Sequence, residues 1–122
     1  MSKVSDFIKE CGSFFVLTLN GDCPAGRPFG AIMEIKEDLY ISTDDRKAVY
    51  RQLKANANVQ LLALKPGTRE WVRVTGAATE CDSVVIKAQM LEECPVLKGH
   101  YSSADEPHYR IFKVKVFEAA FQ

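Results

Sequence analysis

Several common signatures are missing from this sequence. Its four cysteines, at 11, 23, 81 and 94, form no CxxC pair, so a zinc ribbon or a thioredoxin-type centre lacks its ligands. No GxGxxG follows a strand pattern and no Walker loop is present, which argues against Rossmann and P-loop routes to a nucleotide. No apolar run approaches the roughly 20 residues of a membrane-spanning helix, so no membrane partner is expected. Formal net charge is zero, whereas binding a phosphate backbone needs a basic excess or stripe, so nucleic acid is not an expected partner either. The opening residues, MSKVSDFIKECG, are polar and too short for a secretory signal. The expectation is a cytoplasmic protein with reduced thiols. Cys94, His100 and His108 match no ligand spacing, and no metal is expected.

What is present fits an ordinary globular chain. Its 122 residues are 47% hydrophobic and 26% charged, which suits one domain over 1–122 with one core. The most informative stretch is Leu39–Leu53, LYISTDDRKAVYRQL. Leu39, Ile41 and Thr43 alternate with Tyr40 and Ser42, the period of a strand. Asp44 or Asp45 then offers an N-cap, and Ala48, Val49, Gln52 and Leu53 continue at helical spacing. Ser42, Thr43, Arg46 and Lys47 gather where the helix begins. A helix N-terminus exposes free N–H groups and partial positive charge, so these residues together suit a phosphate. They also read as ordinary caps and solvated first-turn cations.

The remaining elements follow the same logic. A short first helix runs to about Glu10, capped by Ser2 or Ser5, with Val4, Phe7 and Ile8 on one face and Gly12 ending it. Strands are expected over Ser13–Asn20, Arg27–Ile35, Leu39–Thr43, Val59–Leu64, Glu70–Thr79 and Arg110–Glu118. Pro28 belongs at a strand start or edge, and Gly30 allows a close approach. Gly76 marks a bulge or bend. A second long helix covers Asp82–Glu93, with Val85, Ala88, Met90 and Leu91 buried. Residues 96–107 read as irregular. Six strands with short links and few helices describe a β-rich α+β fold, a six-stranded antiparallel barrel with flanking helices.

Three separated motifs, RPFGAIME, LYISTDDRKAVYRQL and EWVRVTG, together resemble the pyridoxamine 5′-phosphate oxidase-like family of FMN-binding split barrels. The resemblance runs from about Phe14 to Gly76. It implies a six-stranded split barrel, a tight homodimer, and FMN at the subunit interface. By motif position, Arg27 and Lys47 would hold the FMN phosphate, assisted by Ser42 and Thr43, with Arg46 beside them. Main-chain groups of Pro28, Phe29 and Gly30 would meet the flavin ring, and Trp71 would contact it from the partner chain. Without a ligand, Trp71 reads as a core or interface aromatic and Phe29 as a core residue. Trp71 is the sole tryptophan in the sequence, and no counterpart of the Trp- and Arg-bearing C-terminal segment of the oxidase is expected. The motifs look more like the small flavoproteins of the superfamily.

The resemblance thus implies an FMN-dependent oxidoreductase acting on an unknown small molecule. No catalytic acid or base stands out. His100, Tyr101 and Tyr109 are candidates to line the open face. The alternative is a non-catalytic carrier of flavin, deazaflavin or haem. Twelve aromatic residues in so small a barrel favour a partner that covers some of them.

Overall fold

The computed structural model describes residues 2–122. Helix α1 (Ser2–Cys11) leads into β1 (Phe14–Asn20) and β2 (Cys23–Phe29), followed by β3 (Met33–Ile35) and β4 (Asp38–Asp44). Helix α2 (Ala48–Ala55) comes next, then β5 (Asn58–Leu64), β6 (Trp71–Cys81), α3 (Val84–Glu93) and β7 (Tyr109–Phe121). A 3₁₀ turn, Pro95–Gly99, lies between the last two. Ser5 sits inside α1 and is buried, while a cap by Ser2 falls outside the described side chains. Gly12 stops α1 with a φ of +84°, a conformation that favours glycine. No helix among the described residues is long and apolar enough to cross a membrane.

All seven strands join one antiparallel sheet in the order β2-β1-β5-β6-β7-β4-β3. The β-rich α+β class is as expected, but the six-stranded split barrel is not. The sheet has seven strands and stays open, with β2 and β3 at its two edges. The cause lies in Arg27–Ile35, which reads as one strand and folds as two. Ala31, Ile32 and Met33 are buried consecutively. A strand with one wet face cannot bury three neighbours in a row, because successive side chains alternate. The chain therefore leaves β2 after Phe29 and crosses to the far edge as β3. The β3–β4 hairpin closes on Lys36 and Glu37, both at positive φ (49° and 73°), as a two-residue loop matching the strand twist requires.

Strand β4 is buried on both faces, which explains its continuous burial. Leu39 and Ile41 join Phe14, Val16, Leu61, Val72, Val74 and Phe112 in the larger core under α1 and α2. Tyr40 joins Met33, Met90, Leu91, Tyr109 and Ile111 in a second core under α3. Each such buried aliphatic side chain contributes about 1.5–3 kcal/mol. Val85 and Ala88, expected inside, are exposed. Helix α3 carries apolar residues all round, so spacing does not identify its inner face. Its cap is Ser83, whose hydroxyl accepts from the Ile86 N–H at 3.2 Å.

Gly76 does mark a bulge: the β6–β7 register shifts between Thr75 and Gly76. A side chain there would run into the Lys115 carbonyl. In β6, Val72 and Val74 point inward, while Trp71, Arg73 and Thr75 share the outer face.

Candidate functional site

A cleft of about 510 Å³ opens where β4 passes into α2. Arg27, Pro28, Phe29 and Gly30 form one wall, and Ser42, Thr43, Arg46 and Lys47 form the base. Leu97, His100 and Tyr101 close the far side. Eight of the nine expected cofactor residues are thus brought together, although they come from two separate stretches of chain, 27–30 and 42–47. Trp71 is outside this cleft; it stands on the outer face opposite Leu64, with the Arg73 guanidinium 5.6 Å from its ring centre.

The β4–α2 corner is built differently from the expected cap. Lys47 is the N-cap, in extended conformation, and no side chain caps the helix. Asp44, the last residue of β4, accepts from the Arg46 backbone N–H at 2.9 Å instead. It also takes the Arg46 guanidinium in two hydrogen bonds, at 2.8 and 2.7 Å. The Tyr101 hydroxyl donates to the same carboxylate at 3.1 Å. The bonds from Arg46 hold the Asp44 carboxyl well below the usual range, against the opposing effect of burial. Burial and the bond to Asp44 push Tyr101 up to about 12. Asp44 is therefore a fixed anion, and the exposed Arg46 guanidinium is paired with it.

Arg27 and Lys47 are in the opposite condition. Among the described residues, no carboxylate pairs with either. Burial lowers the Arg27 pKa, the mark of a cation partly removed from water. Lys47 is exposed at the first turn of α2, where backbone N–H groups have no intrahelical acceptor. Thr43 Oγ1 is buried with no hydrogen-bond partner. Two cations without a carboxylate partner, an orphaned hydroxyl and a helix N-terminus form a donor set suited to an anion. Open space stands over Gly30, where an added Cβ would meet nothing within 4 Å.

The corner is anchored from behind. Asp45 bonds His108 at 2.7 Å and Arg110 at 3.1 Å, and Arg110 reaches on to Glu80 at 2.9 Å. Glu80 also accepts from Tyr50 and Lys54. Burial would raise the Glu80 pKa, but these bonds outweigh it and the net shift is downward. Asp44, Asp45 and His108 bring metal-type donors within 4.8 Å of one another. Arg46 and Arg110 already neutralise them. Cys94, His100 and His108 form no such group among the described residues. Tyr109 does not line the cleft; it is fully buried, and its hydroxyl donates to the Lys87 carbonyl at 3.0 Å.

Two contributors to this geometry carry no signal in the sequence. Thr18 lies in the middle of an apolar strand and Gln52 in the second turn of α2, yet both bond Arg27. Only the antiparallel register of β1 with β2 and the packing of α2 bring them together.

The sequence matches the pyridoxamine 5′-phosphate oxidase family over residues 1–122. The chain belongs to that family. Among solved structures it is similar to a NimC/NimA family protein from Clostridium acetobutylicum, at 30% identity and a TM-score of 0.87, covering 100% of this chain and 89% of that one. General Stress Protein 26 from Bacillus anthracis shares the fold at 18% identity and a TM-score of 0.83, over 98% of this chain and 91% of its own. A pyridoxamine 5′-phosphate oxidase-related, FMN binding protein from Nostoc punctiforme shares it at 16% identity and a TM-score of 0.71, over 98% and 81%. No match is found among curated proteins.

Proposed function

We propose that this chain is an FMN-binding flavoprotein and works as an oxidoreductase on a small molecule. The observation that carries the reading is the pair of cations left without counter-charge, Arg27 and Lys47, beside an orphaned Thr43 hydroxyl at the start of α2. A flavin mononucleotide phosphate, with about two negative charges, satisfies all of them. Ser42 and the free N–H groups of the first helical turn add donors. The strand edge at Pro28, Phe29 and Gly30 offers backbone groups and an open space to a flat ring. Bound FMN would supply reversible electron transfer at that ring. The protein's own part is to hold the phosphate, orient the ring and shield it from water. The FMN-binding relative from Nostoc punctiforme agrees with this reading.

The active form we propose is a homodimer sharing two flavin sites. Phe15 and Leu64 are 52% and 58% exposed on the outer sheet face, and Trp71 stands opposite Leu64. Phe117 is 64% exposed beside the β6–β7 bulge. Pro28 lies opposite Phe15, so the cleft wall runs into this apolar face. A second copy seated there would cover these side chains and bring its own Trp71 towards the ring.

One observation favours a carrier without turnover. The proton-bearing groups of the cleft are tied up: Asp44 is held as an anion and Tyr101 is held protonated. His100 also lines the cleft, its ring 6.4 Å from that of Tyr101.

Visible absorbance of the purified protein, before and after added FMN, tests the reading. Flavin bands that shift on binding are expected, together with a dimeric mass by light scattering. A protein that leaves the FMN spectrum unchanged overturns the assignment. Reduction of the bound flavin by NADH or NADPH separates the enzyme from the carrier.

A further inference from the structure

We propose that Gln52 and Thr18 are positioning residues that keep the charge of Arg27 available, and that the neutral amide at 52 makes the cleft select a phosphate monoester. The inference rests on the flavin phosphate reading above and assigns the residues that make it selective.

The geometry is closed on the protein side. Arg27 Nη1 donates to the Val16 carbonyl at 3.1 Å and to Thr18 Oγ1 at 2.8 Å. Arg27 Nη2 donates to Gln52 Oε1 at 2.7 Å. The Thr18 hydroxyl also donates to Gln52 Oε1, at 2.6 Å. Thr18 is buried and Gln52 half-buried, so the guanidinium is held by fixed groups. A guanidinium has five N–H donors. Three are spent inward, and the others have no protein partner among the described residues.

All three acceptors are neutral. They fix the position of Arg27 without cancelling its charge. Arg46, in the same cleft, is held by a carboxylate and has its charge cancelled. A glutamate at 52 would occupy the same volume, reach the same Nη2, and convert Arg27 into a second internally paired arginine. Position 52 therefore decides how many free cations the cleft offers. With glutamine there are two, Arg27 and Lys47, the number that matches one phosphate dianion.

The test compares wild type with Gln52→Glu, Gln52→Met and Thr18→Val. FMN and riboflavin, which differ by the phosphate, are titrated at two ionic strengths. Gln52→Glu should weaken FMN about tenfold or more, as loss of a charged hydrogen bond does, and leave riboflavin unchanged. Its FMN affinity should also depend less on salt. Gln52→Met and Thr18→Val should fall between it and wild type. A merely structural role would weaken both flavins alike. Unchanged selectivity for FMN over riboflavin in Gln52→Glu overturns the inference. Should Gln52→Glu fail to fold, Thr18→Val decides, and unchanged selectivity there overturns it equally. If wild type binds no flavin, the proposed function fails separately, and thermal protection by inorganic phosphate becomes the readout. Protection in wild type that is lost in Gln52→Glu supports the inference. No protection in wild type, or equal protection in both, overturns it.

Discussion

The β2 edge and the β4–α2 corner each place an arginine against the same cleft, and the two arginines do opposite things. Arg46 is exposed, yet its charge is spent on Asp44 at 2.7 Å. Arg27 is half-buried, yet its inward bonds all end on uncharged oxygens. Exposure would rank Arg46 as the available cation. Partner chemistry ranks it second. A guanidinium serves an incoming anion only if its fixed acceptors leave its charge free.

The largest effects should come from the free cations. Arg27→Ala or Lys47→Glu should each weaken FMN by about 1.5–3 kcal/mol, roughly tenfold to a hundredfold in Kd by titration. If Arg46→Ala weakened FMN as much as either, the contrast between the two arginines would break.

Asp44→Asn sharpens it from the other side. The Asp44 carboxyl has a depressed pKa when folded. Its contribution is therefore present above the ordinary carboxylate value near 4 and is lost as pH falls towards the folded value. Acid unfolding of wild type should include this loss, and Asp44→Asn should lack it while being less stable by about 1–3 kcal/mol at neutral pH. Denaturant titrations at pH 7 and pH 3 read both quantities.

Tyr101→Phe should cost less, about 0.5–1.5 kcal/mol, because the hydrogen bond to Asp44 goes and the ring contact with Tyr109, 4.8 Å between centroids, stays. In wild type, Tyr101 is held up to about 12. A raised pKa contributes stability that is complete below the unfolded value near 10 and is lost as pH rises through the folded one. Phenolate absorbance should show a late-titrating group that Tyr101→Phe removes. The smallest effect on FMN affinity belongs to Arg46→Ala, whose charge is already paired with Asp44, although the buried carboxylate it leaves behind should lower stability.

Much of this site was legible in local sequence. LYISTDDRKAVYRQL alternates and then switches to helical spacing, and the structure follows it as β4 and α2. Residues 27–30 of RPFGAIME do line the cleft, but its path was not legible: apolar content suggested one strand, and three consecutive buried residues made two. The expectation that Asp44 or Asp45 caps α2 failed because Arg46 outcompetes the helix N–H groups for the Asp44 carboxylate. The bond from Tyr101 to Asp44 could not be read locally, since Tyr101 comes from far along the chain. Thr18 and Gln52 were invisible for the same reason: strand register and helix packing decide what they touch.

The most direct test of the central claim is the affinity of the purified wild-type protein for FMN relative to riboflavin, measured beside Arg27→Ala. The account predicts that FMN binds at least about tenfold more tightly and that the substitution removes most of the difference. Equal affinities in wild type, or a preference that survives in Arg27→Ala, would contradict it.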